Sequence, residues 1–218
     1  LDLAALTLLH LLVFVYWLGG DLGAFYASSI LSDPDAAPAA RLAAAKVVAN
    51  VDMAPRTALI LAFPTGASLA AAKGWWVLSP TAQAAIWIGF VLWLALAWRL
   101  HLRHAPPGSA LRALDLAIRW LALAAFAAAG VAALAGRLEV PLFLGLKLLI
   151  LAAAIGAGLA VRGALKRFGP AVGRLAAGDA GPETHAAIAG GLARVRPAVL
   201  LIWLLLVAAT FLGLWTPQ

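Results

Sequence analysis

The chain has no cysteine, so disulfides, thiolate metal sites and iron–sulfur ligation are excluded. It has one methionine, Met53, and therefore no Met-rich metal-handling stretch. Acidic residues are scarce, nine Asp and Glu against sixteen Lys and Arg, which leaves a formal net charge of +7. Charged residues of either sign make up only 11% of the 218 residues, too few to cover a water-soluble domain of this length.

What is abundant is apolar: 65% of the residues are hydrophobic and the mean hydropathy is +0.99. Lipid is therefore the expected solvent for much of the chain. The net positive charge then reads as the excess of Lys and Arg on cytoplasmic loops rather than as a nucleic-acid surface. The longest basic stretch, 162–197, has one aromatic residue, Phe168, and no nucleic-acid-binding motif. It reads as a solvated cytoplasmic loop in which Pro182-Glu183 are placed to start a short surface helix. The first apolar run lacks a basic leader and is too long for a signal-peptide core. The Ala-, Gly- and Arg-rich composition fits a bacterial inner membrane.

A hydrocarbon core of ~30 Å takes about 20 helical residues per crossing. Six segments satisfy this, 3–30, 55–72, 82–100, 111–135, 140–161 and 198–214, with 47–54 expected to lead into the second on the same helix. The expected fold is thus all-α, a single membrane domain over residues 1–218 built as a bundle of six transmembrane helices. Ser32-Asp33-Pro34-Asp35 ends the first span and Ser79-Pro80 opens the third. Pro106-Pro107-Gly108-Ser109 separates the third from the fourth, and Gly136 and Pro141 bracket a short turn that makes the fourth and fifth an antiparallel hairpin. Collecting Arg41, Lys46, Arg103, Arg162, Lys166, Arg167, Arg174, Arg194 and Arg196 on one side puts both termini outside, N-out and C-out.

Ionisable residues within spans are the functional candidates, because their burial in lipid is costly. On the first span His10, Trp17, Asp21 and Ser28 fall on one helical stripe, while Gly19, Gly20 and Gly23 let a neighbouring helix approach. At ~1.5 Å per residue, His10 and Lys147 share a layer roughly 10 Å below the outer end of their spans. Asp21, Arg56 and Arg119 share a layer roughly 25 Å from the outside, which predicts an ion pair between helices or a transport site. Asp52 and Asp115 precede the two arginines by one turn. An imidazole in a span suits haem iron or copper, or a hydrogen bond to a neighbouring carbonyl, and Lys147 suits an anionic group such as a haem propionate. Trp75, Trp76, Trp87 and Trp215 fit an outer interfacial belt; Trp17, Trp93, Trp120 and Phe126 lie deeper, as pocket lining or packing. Arg99, His101, Arg103 and His104 close the third span at the interface. Phe63-Pro64-Thr65-Gly66 interrupts the second span, where a kink would open a cavity.

The pattern His10…Trp17-Leu18-Gly19-Gly20 resembles the opening helix of CopD-type (copper-resistance D) membrane proteins. Leu142-Phe143-Leu144-Gly145-Leu146-Lys147-Leu148-Leu149 is similar to a later helix of that family, and Arg56, Pro64 and Gly66 resemble the second helix of the HemJ-like proteins grouped with it. The resemblance implies copper handling or bound haem b, with a cofactor near His10 and Lys147 and a redox or metal-handling role. Two other classes stay open. One is a small-solute or ion transporter using Asp21, Arg56 and Arg119. The other is an accessory subunit or homo-oligomer docking through the small residues Ala152, Gly156, Ala157, Gly158 and Ala160.

Overall fold

The computed structural model describes residues 2–103, 106 and 108–217; His104 and Pro107 lie outside the described residues. Among these, every regular element is helical. Helix α1 (Leu3–Ser32) starts where the Asp2 side chain accepts the Ala5 N–H at 2.7 Å. It stops at Asp33, whose carboxylate accepts the Asp35 N–H at 2.9 Å in a tight turn. Helix α2 (Pro38–Val51) takes Pro38 at its first position, where a missing N–H costs nothing. A single residue, Asp52, separates it from α3 (Met53–Ala72), so residues 47–54 carry a one-residue break rather than one unbroken helix.

Ser79 caps α4 (Pro80–Leu102) by accepting the Ala82 N–H at 3.1 Å. The expected hairpin is present: α5 (Ala110–Leu134) turns through Gly136, at φ 68°, into α6 (Leu142–Ala164). The hairpin closes tightly because glycines face side chains. A Cβ at Gly130 would lie 2.7 Å from Leu149 Cδ2, and one at Gly145 would lie 2.8 Å from Ala133 Cβ. Beyond α6 a 3-10 turn (Leu165–Arg167) leads to α7 (Phe168–Ala176), and α8 (Pro182–Trp215) then runs unbroken for 34 residues through Pro197.

Residues 162–197 are therefore not an open loop. Only 177–181 interrupt the helices, because this stretch builds a small core of its own from Leu31, Ala44, Ala171, Leu175, Ile188 and Leu192. Arg41 is enclosed there with 3% of its surface exposed, its Nε donating to Leu31 O at 3.1 Å. The main core lies between α1, α3, α4, α5, α6 and α8 and centres on Trp17, Ile60, Trp93, Phe126, Ile155 and Ile202.

Five stretches are long and apolar enough to cross a membrane: α1, α4, α5, Leu142–Ala176 and α8. Helix α3 is not among them, since Arg56, Pro64, Thr65, Gly66 and Ser68 dilute its apolar content. It is nonetheless richly buried, with Ala58, Leu59, Ile60, Pro64, Thr65, Ala67 and Ala70 all enclosed. A helix shielded by protein need not be apolar all round. Its closest neighbour is α1, where a Cβ on Gly20 would lie 2.6 Å from Pro55 Cδ. The small-residue stripe on α6 is partly engaged inside the bundle as well: Ala152 and Ala157 are buried, and a Cβ on Gly156 would lie 3.4 Å from Leu123 of α5.

Candidate functional site

His10 reaches across from α1 to α3 at the point where the sequence reads Pro64-Thr65-Gly66. Helix α3 continues through this stretch, and Phe63 and Gly66 line a cavity beside it. Pro64 brings no N–H to the preceding turn, and the next side chain attaches to that turn instead. Thr65 Oγ1 donates to Leu61 O at 2.7 Å, with Ala62 O at 3.2 Å. A hydroxyl has one proton, and two oxygens at 2.7 Å need it between them. Thr65 Oγ1 is thus left to accept from His10 Nδ1, at 2.9 Å. In the imidazole form the proton sits on Nδ1 and the lone pair on Nε2. Gly66 completes the seat, since a Cβ there would lie 3.0 Å from His10 Cε1.

His10 and Trp17 line a cavity of about 310 Å³ between α1, α3, α6 and α8, at the low end of the range for small-ligand sites. Its walls are mainly apolar and include flat rings from Phe14, Phe63, Trp76 and Phe143. Lys147 lines the same cavity and lies against α8, where a Cβ on Gly213 would be 3.0 Å from its Nζ. Lys73 joins it, its Nζ 4.5 Å from the centroid of Trp75, which packs edge-on against Phe143 at 5.0 Å. None of the lining residues is Asp or Glu. A larger neighbouring groove of about 600 Å³, around Trp76, Val77 and Trp87, has no ionisable side chain and so lacks this chemistry.

Comparison with family models, curated proteins and solved structures gives no match.

The donor chemistry, one imidazole with a free Nε2, mainly apolar walls and two lysines without a carboxylate, is of the kind a b-type haem needs, but at about 310 Å³ the cavity must widen to admit a tetrapyrrole. Copper fits less well. The cavity offers it a single nitrogen donor beside two cations, and no group of three or more His, Cys, Asp or Glu occurs among the described residues.

The inner layer differs from its expected pairing. Asp21 is bonded to neither arginine. Arg56 is held by Asp52, one turn earlier on its own helix, with Nε 2.6 Å from Oδ2. Arg119 is held by Asp115 in the same i,i+4 relation, Nε to Oδ2 at 3.1 Å. A carboxylate one helical turn away is always within reach, whereas one on another helix must be brought there by packing. Asp21 instead lies buried against the indole N–H of Trp203 on α8, at a geometry short of a full hydrogen bond for either Asp21 Oδ2 or Trp203 Nε1. The deeper aromatics divide too. Trp93 and Phe126 are buried in the core, whereas Trp120 is 56% exposed and points outward. Of the tryptophans expected in an outer belt, Trp87 donates its Nε1–H to Ser68 Oγ at 2.9 Å and ties α4 to α3.

The residues missed from sequence are Thr65, Gly66 as a seat for His10, and Lys73. A Thr directly after an intrahelical Pro was the available signal, because such a hydroxyl commonly bonds the preceding turn.

Proposed function

We propose that this chain is a bacterial inner-membrane protein of six spans, N-out and C-out, that holds haem b in its outer half for a redox role. His10 Nε2 would hold the iron, Lys147 and Lys73 would meet the acidic substituents, and Trp17 would form part of the wall. The observation that carries this reading is the Thr65–His10 hydrogen bond, which leaves an oriented lone pair on an apolar cavity whose charged lining groups are lysines. The CopD- and HemJ-like pattern around His10, Trp17 and Lys147 points the same way. Haem in such a seat supplies one-electron chemistry. Helix α3 as the sixth span is supported by its enclosure between α1 and α4, and the orientation by the basic residues gathered at one end.

A visible spectrum of gently solubilised protein, as isolated and after haem titration, tests this. A Soret band is expected in wild type and its loss in His10→Ala. Thr65→Val should keep the fold and weaken haem affinity about 10- to 100-fold, as outer-shell partners of metal ligands do. No Soret band under either condition would sink the proposal.

A transport role would rest on Asp21, whose Oδ2 is buried without a hydrogen bond, since Arg56 and Arg119 each have a carboxylate partner on their own helix.

A further inference from the structure

A second cluster lies at the basic end of the bundle, and the haem reading makes no use of it. Asp115 on α5 accepts Trp93 Nε1 of α4 at Oδ1, 3.0 Å. Its Oδ2 accepts Arg119 Nε at 3.1 Å and Arg162 Nη1 of α6 at 3.0 Å. Two guanidiniums thus share one carboxylate oxygen, and the trio carries an excess positive charge. Arg56 stands within electrostatic range of Arg162 but is already bonded to Asp52, so that pair adds no net negative charge. The Arg119 side chain is 7% exposed, and its Nη2 is enclosed without a hydrogen-bond partner. A buried cation in excess, with an open donor, is the condition under which an anion is bound rather than merely tolerated.

We propose that Arg119 and Arg162 form an oxyanion site for a phosphate group, with Arg119 Nη2 as the inner donor and Arg162 as the outer one. Paired guanidiniums suit phosphate because their donors form planar forks that match its oxygens. The site has an open side. Arg162 is 33% exposed and is the side chain that turns to admit the anion, while Arg119 stays fixed over the Trp93 ring at 5.5 Å. Elsewhere on α5, Leu114, Trp120 and Leu121 are each at least half exposed and suited to acyl chains. A phospholipid headgroup and a free phosphate share the recognising chemistry. This inference does not depend on haem.

The test is thermal unfolding of the full chain in detergent, titrated at constant ionic strength with short-chain phosphatidic acid, short-chain phosphatidylcholine or inorganic phosphate. A saturable rise in Tm with phosphatidic acid but not phosphatidylcholine is expected if the source is an anionic headgroup, and with inorganic phosphate if it is the free ion. Arg162→Gln should weaken the response at least about tenfold, and so should Arg119→Lys, which keeps the charge but removes Nη2. If Arg119→Lys does not fold, Arg162→Gln decides alone. No saturable rise with either anion, an equal rise with phosphatidylcholine, or an undiminished response in Arg162→Gln overturns the proposal.

Discussion

At Asp115 one carboxylate serves an indole and two guanidiniums while its own side chain is 2% exposed. Removing its charge leaves both cations uncompensated. Breaking a buried pair from one side costs about 3–5 kcal/mol. Asp115→Asn should therefore destabilise the protein by about that much in chaotrope unfolding from detergent. Arg119→Leu added to it should restore part of the loss, and strictly additive effects would show that the residues do not act as a unit. Counting residues along the spans put His10 and Lys147 in one layer, and both line the same cavity; it put Asp21, Arg56 and Arg119 in another. It misassigned the arginines' partners because depth alone cannot rank a carboxylate on another helix against one a turn away. Arg162 was invisible for a related reason: it reaches Asp115 only through the α5–α6 hairpin. At His10 the residue type and layer were legible, but its orientation was not, because that depends on where the Thr65 proton goes.

Helices were the most legible level. Apolar runs and breakers located α1, α4, α5 and α6, and Gly136 marked the hairpin. The continuity of α8 was not legible, since Gly190, Gly191 and Pro197 argue locally for a loop. Packing overrides them: Ile188 and Leu192 are buried in the small inner core, and Gly191 lies against Phe168, where a Cβ would meet the ring at 3.5 Å. Two predictions belong here. Gly130→Leu inserts a side chain where even a Cβ is too close to Leu149 and to Gly145 O, 3.0 Å away, and should cost at least about 1–3 kcal/mol as overpacking. Unchanged unfolding would show that the hairpin is looser than drawn. The turn between α7 and α8 should respond to acid. The Gly181 N–H, the Thr184 hydroxyl and Arg174 hold the Asp179 carboxyl below its ordinary value of 3.8. Stability from a lowered carboxyl is complete above that ordinary value and lost as pH falls through the lowered one. Amide exchange at Gly181 should quicken in that acid window, and Asp179→Asn should flatten the dependence.

For the molecule as a whole, the absence of cysteine makes any introduced thiol unique. Asp35→Cys and Ala180→Cys should be modified by an impermeant reagent from the cytoplasmic side, and Val77→Cys and Glu139→Cys from the opposite side. The Val77 site decides the number of spans. If α3 does not cross, it reacts from the same side as Asp35→Cys. Helix α8 bears on the same question of scale. Its 34 residues measure about 51 Å, against a hydrocarbon core of ~30 Å. The inner part of this rod is locked by Ile188 and Leu192 into the small core with α2 and α7. Such a helix cannot meet a thicker or thinner bilayer by sliding along its own axis. Hydrophobic mismatch must then be absorbed by tilting the bundle or deforming the lipid around it, so membrane thickness becomes a variable that sets the molecule's attitude in the bilayer.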